Sequence, residues 1–247
     1  MERAALAARG LGRAALAAAG ALAGLMAACV GPSAKAGGDG VADATYAQPS
    51  TLYGHGALGA GHEWSAMILD GTVVFPLREG LVFEDIAPHL ADLDGDGDYE
   101  VIVVESSLTQ GSRLAVWDGS GRIAATPFIG TRHRWLAPVG AADLDGDGRT
   151  EIAYVETPHL GKILKIVRLV GDRLVPVAEA RGLTNHRYGD PFIQGGIASC
   201  DGVPTILTAN EDWTRIIATS LMGGTLVSRD RAAYRGSKSF DAPLGCD

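Results

Sequence analysis

Four glycine turns set a beat through this chain. Gly71, Gly121, Gly171 and Gly223 follow one another at intervals of 50, 50 and 52 residues. Each stands between two short apolar runs, so hairpins recur over residues 67–75, 114–124, 166–175 and 216–227. A unit of about fifty residues with four short strands cannot bury both faces of its own sheet and must pack against copies of itself. The expected fold is therefore all-β, a small β-propeller of about four four-stranded blades, closed by pairing of the N- and C-terminal segments so that no sheet edge is left open. An open stack of the same units is the alternative architecture.

Two acidic stretches keep the same beat. Residues 92–100 read Asp-Leu-Asp-Gly-Asp-Gly-Asp-Tyr-Glu, and residues 143–151 repeat them as Asp-Leu-Asp-Gly-Asp-Gly-Arg-Thr-Glu, 51 positions later. Carboxylates this dense repel one another unless a cation sits among their oxygens. Calcium, which takes about six to eight hard oxygen ligands, suits them better than magnesium with its tighter octahedral shell. The candidate ligands of the first site are Asp92, Asp94, Asp96 and Glu100, with the backbone carbonyl of Asp98. Those of the second are Asp143, Asp145, Asp147 and Glu151, with the carbonyl of Arg149. Gly97 and Gly148 supply the bend. An EF-hand would need a bidentate Glu three residues further on and a helix behind it, yet Val103 and Tyr154 stand there inside β-rich runs. At the next beat only Asp201-Gly202 survives, a turn without the other acids, so two calcium sites are expected.

The pattern Ala-Asp-Leu-Asp-Gly-Asp-Gly-x-x-Glu followed by a strand, at residues 91–104 and 142–155, resembles the FG-GAP and VCBS repeats of bacterial secreted proteins and of integrin α-subunit propellers. That resemblance implies calcium held at the edge of each blade. Two units match it well, a third is degenerate and the fourth matches only through its hairpin, so it extends over most of residues 51–247.

The N-terminal 28 residues differ from the rest. Arg3, Arg9 and Arg13 precede an unbroken Ala, Leu, Gly and Met run at residues 14–28, too short to span a bilayer, which reads as a secretory signal. Met26-Ala27-Ala28-Cys29 resembles a lipobox with Cys29 as the lipidated residue, and Ala34-Lys35-Ala36 is the competing cleavage site. The expected location is periplasmic or outer-membrane as a lipoprotein, otherwise secreted, with membrane contact only through that anchor. Residues 29–50 have the composition of a flexible tether and residues 51–247 that of the propeller. Loss of residues 1–28 removes Arg3, Arg9, Arg13 and Glu2 and takes the net charge from −8 to −10. So acidic a chain is a poor partner for nucleic acid. With Cys29 lipidated, Cys200 and Cys246 remain as a pair able to form a disulfide.

No zinc signature, phosphate loop or nucleophile elbow occurs. The most suggestive polar constellation is His133-Arg134-Trp135 and, 53 residues on, His186-Arg187-Tyr188. Equivalent positions of a propeller share one face, and arginine beside an aromatic suits a carboxylate, a sugar ring or an acidic peptide. Phe83-Glu84-Asp85 and Lys238-Ser239-Phe240 are the comparable points of the first and last units, while His55, His89 and His159 read as surface or turn residues. The favoured function is a noncatalytic, calcium-stabilised module that binds a protein or glycan partner. A propeller-type polysaccharide lyase or hydrolase using the His/Arg/aromatic face is the alternative.

Overall fold

A computed structural model describes residues 39–240 apart from Ala60 and Asp201, without the side chain of Cys200. The signal segment, the Cys29 anchor, the Cys200–Cys246 disulfide and terminal closure through residues 241–247 lie outside the described residues.

All four glycine hairpins form, and the described chain is antiparallel β-sheet with one short 3-10 turn at Ser237–Phe240. The second hairpin closes a meander of β5 (His89–Ala91), β6 (Glu100–Ser107), β7 (Gly111–Asp118) and β8 (Gly121–Ala125), numbered after four strands that precede it. The next blade is β9 (Leu136–Ala142), β10 (Glu151–Glu156), β11 (Ile163–Val170) and β12 (Arg173–Arg181). After β13 (Leu183–Thr184) comes the third, β14 (Gly196–Cys200), β15 (Val203–Asn210), β16 (Arg215–Met222) and β17 (Thr225–Ala233). In each blade the acidic or Asp-Gly loop joins the first strand to the second and the glycine turn joins the third to the fourth, the order expected from the repeat.

The start of the chain departs from that order. Among the described residues β1 (Ala44–Pro49), β2 (Trp64–Leu69) and β3 (Val73–Pro76) make a three-stranded unit with β2 in the centre, one strand short of a four-stranded blade. β1 also corrects the expected flexible tether of residues 29–50, whose last part is a strand. Alternation within Ala-Thr-Tyr-Ala-Gln-Pro turns Tyr46 inward, where it stacks on Phe83 at 5.2 Å and Trp64 at 6.3 Å, and that burial outweighs the polar composition around it. β4 (Leu81–Phe83) then pairs with β2 on one side and β6 on the other, joining this unit and the first blade into one eight-stranded sheet.

The core consists of one apolar cluster within the eight-stranded sheet, around Met67, Phe83, Val101 and Trp117, and of two seams between successive sheets. The second strand of each acidic blade is a run buried on both faces, Val101-Ile102-Val103-Val104 in β6 and Ile152-Ala153-Tyr154-Val155 in β10. Ile102, Val104 and Val116 meet Leu136, Ile152 and Val167 between the first two blades. Leu144, Val155 and Ile166 meet Ile206 and Leu221 between the second and third. Outer strands such as β12 and β17 are largely exposed.

Candidate functional site

The two acidic loops fold alike. The first carboxylate of each accepts backbone N–H groups from inside its own loop: Asp92 from Gly95 at 2.7 Å and Gly97 at 3.1 Å, Asp143 from Gly146 at 2.8 Å and Gly148 at 2.9 Å. Gly97 and Gly148 hold φ of 94° and 84°, a backbone shape that only glycine adopts cheaply. The last acid is drawn inward, Glu100 onto the Leu93 N–H at 2.7 Å and Glu151 onto the Leu144 N–H at 2.8 Å. Carboxylate oxygens of Asp92, Asp94 and Asp96 lie within 4.8 Å of one another, as do those of Asp143, Asp145 and Glu151. Asp98 groups instead with Asp96 and Asp39, and the Arg149 side chain bonds Asp147 at 2.7 Å.

Asp39, Asp94, Asp96, Glu100, Asp118 and Asp172 together line a cavity of about 280 Å³. Burial, reinforced by Asp94, Asp96 and Asp92 and opposed by the Leu93 N–H, pushes Glu100 up to about 7. Ile123, Leu169 and Gly171 complete the lining, and its polar side chains are all carboxylates, the donor type that suits a hard divalent cation better than a soft one.

A second constellation gathers where the segments leading into the blades meet. Trp135 is buried, and its indole N–H donates to the Glu84 carbonyl at 3.0 Å. Its ring stacks on His159 at 6.0 Å and meets the edge of buried His186 at 5.0 Å. His186 Nε2 faces the Asp190 carbonyl at 2.9 Å, so that nitrogen carries the proton. His186 Nδ1 then accepts from His159 Nε2 at 2.8 Å. Above them, His133 and His55 stack with centroids 5.0 Å apart, Tyr188 donates to the His55 carbonyl at 2.8 Å, and the Tyr53 hydroxyl accepts the His133 N–H at 2.7 Å. His55 Nδ1 lies 2.6 Å from the buried carboxylate of Glu84, which burial raises above the usual range.

Of the six residues expected on this face, His133 and Tyr188 are exposed there, while Trp135 and His186 lie beneath. Arg134 is half-buried, its carbonyl accepting the Ser112 N–H at 2.8 Å. Arg187 turns away to lie over Trp213 at 4.7 Å and Tyr234 at 5.0 Å. His55 and His159 are not plain surface residues: both are part-buried members of the cluster, placed there by bonds to chain-distant partners. His89, 3.2 Å from buried Asp85, is likewise tied down. The signal for the missed pair was weak, since neither histidine belongs to a repeated triplet.

Burial first, then nearby His186 and His55, lower His159 to about 4. A histidine depressed below its ordinary 6.5 gives stability that is complete above that pH and lost as pH falls toward 4, because the unfolded chain takes up the proton first. The melting temperature should therefore fall between pH 6.5 and 4, with a shallower slope in His159→Gln; identical slopes would refute the assignment.

No curated protein sequence matches the chain. Among solved structures it is similar to rhamnogalacturonan lyase YesW (16% identity, TM-score 0.41, covering 65% of this chain and 36% of that one). It is similar also to the exotype rhamnogalacturonan lyase YesX (15%, 0.41, 71% and 42%). A third is the Bacillus licheniformis rhamnogalacturonan lyase PL11 (17%, 0.42, 71% and 43%). The chain thus spans less than half the length of each. A family model matches from Asp92 into β10, taking in the first loop, the strands behind it and the second loop: residues 92–154 carry an FG-GAP-like repeat.

Proposed function

We propose that this protein is a noncatalytic, calcium-stabilised extracytoplasmic propeller module that presents the exposed Tyr188–His133 face to a protein or glycan. The observation that carries the reading is the convergence of Asp92, Asp94 and Asp96 oxygens in a loop belonging to the matched repeat. Calcium there offsets the crowded charge and fixes the turn that launches β6. Export, with an anchor at Cys29, is read from residues 1–29.

Arg132 donates to His133 Nε2 at 3.1 Å, so one cation does stand on this face, but its Nη2 is tied to the Tyr53 carbonyl at 3.1 Å. It is the placement of Arg187 and His186 that favours binding over lyase chemistry. A lyase site would need a cation facing the base to neutralise a uronate. Arg187 is held between Trp213 and Tyr234, and His186 is buried. A side chain such as Tyr188 beside an imidazole pair offers instead a flat surface for a sugar ring or a peptide.

Thermal melting in calcium against chelator tests the metal. Calcium at about a hundred times its dissociation constant stabilises by about 2.7 kcal/mol, which raises the melting temperature of a domain this size by about 5–10 °C. The rise should disappear in Asp94→Ala. No rise in the unmodified protein would sink the calcium reading, and a glycan array with Tyr188→Ala as control tests the face.

A further inference from the structure

Besides Asp98 against Arg149 and Tyr99 against Thr150, the two loops differ in what faces their last acid across the ladder. Arg168 of β11 lies directly across the ladder from Glu151, with its side chain only 11% exposed. Its Nε donates to Glu151 Oε1 at 2.5 Å and its Nη2 pairs with the same carboxylate. The guanidinium also reaches Asp145 through Nη2 at 3.1 Å and Asp147 through Nη1 at 3.0 Å. Two of its three partners, Asp145 and Glu151, belong to the convergent oxygen group of this loop. In the first blade Val101 faces Trp117, so the position across from Glu100 falls on Asp118, an acid that lines the same cavity as Glu100. The same register thus delivers a cation to one loop and a further carboxylate to the other.

We propose that Arg168 is the resident cation of the second loop. Its planar fork engages three carboxylates that a calcium ion would otherwise draw together, and it is charged at every pH the protein meets. The second loop then keeps its shape without metal, and the chain takes one calcium, at the first loop. This rests on the reading that the first loop is a calcium site, and it turns the two repeats into unequal partners: one set by calcium supply, the other independent of it.

Calorimetric titration of the full chain with calcium chloride after chelator treatment counts the sites. One is expected in the unmodified protein, none in Asp94→Ala, two in Arg168→Gln and one in the double variant Asp94→Ala/Arg168→Gln. Two sites in the unmodified protein, one lost in Asp94→Ala and the other in Asp145→Ala, would overturn the proposal, as would failure of the double variant to bind. Should Arg168→Gln not fold, Asp94→Ala alone decides, because one calcium still bound there means Arg168 does not hold the second loop. An unmodified protein that binds none, with one site in Arg168→Gln, refutes the first-loop reading and upholds Arg168.

Discussion

Trp135→Ala should lower stability by about 3–5 kcal/mol, the cost of removing a large buried aromatic side chain and leaving a cavity. Trp135 is 2% exposed and packs in the seam between the first two blades. It also carries a bond across that seam, from its indole to the Glu84 carbonyl. Trp135→Phe separates the two contributions. The phenyl ring recovers most of the packing and leaves the carbonyl without its donor, so about 1–3 kcal/mol should remain lost. Urea denaturation of both variants measures this. A loss below about 1 kcal/mol for Trp135→Ala would mean that the blades do not lean on this residue.

Glu105→Ala is the second large effect, again about 3–5 kcal/mol, because it removes the buried partner of a largely buried cation, Arg113. Glu105 is fully buried in β6 and accepts from Arg113 Nε at 2.9 Å, from Arg113 Nη2 at 2.5 Å and from the Trp117 indole at 3.0 Å. Arg122 Nη1 completes the group at 3.3 Å. Burying an ion pair is itself costly, so removing both charges should do less harm than removing one. The double variant Glu105→Leu/Arg113→Met is therefore expected to recover at least half of the loss. A double variant less stable than Glu105→Ala would contradict this.

What the sequence made legible was whatever repeats. The glycine turns at 71, 121, 171 and 223 marked four hairpins that all form, and the acidic spacing placed loops at the head of β6 and β10. These features are local, written into a few consecutive residues and then written again. The features missed are those whose meaning lies in a distant partner. Tyr46 becomes part of a strand through Phe83 and Trp64, and His159 becomes a cluster residue through His186, 27 positions away. Arg168 is an ordinary arginine in its own strand until the ladder sets it against Glu151. At the start of the chain, where the hairpin pattern suggests a blade completed by terminal segments, the described residues build three strands tied into the next sheet.

That tie has a consequence for how such a chain can grow or shrink. Because β4 is hydrogen-bonded to both β2 and β6, the first unit and the first blade are one fabric, and nothing can be spliced between them without cutting main-chain ladders. Among the described residues the sheet of β9 to β12 has no ladder to either neighbour and is held at its two faces by side chains. Duplication or loss of a blade is cheapest at those joints, where a newcomer need match only an apolar surface. The chain thus has a welded beginning and a modular middle.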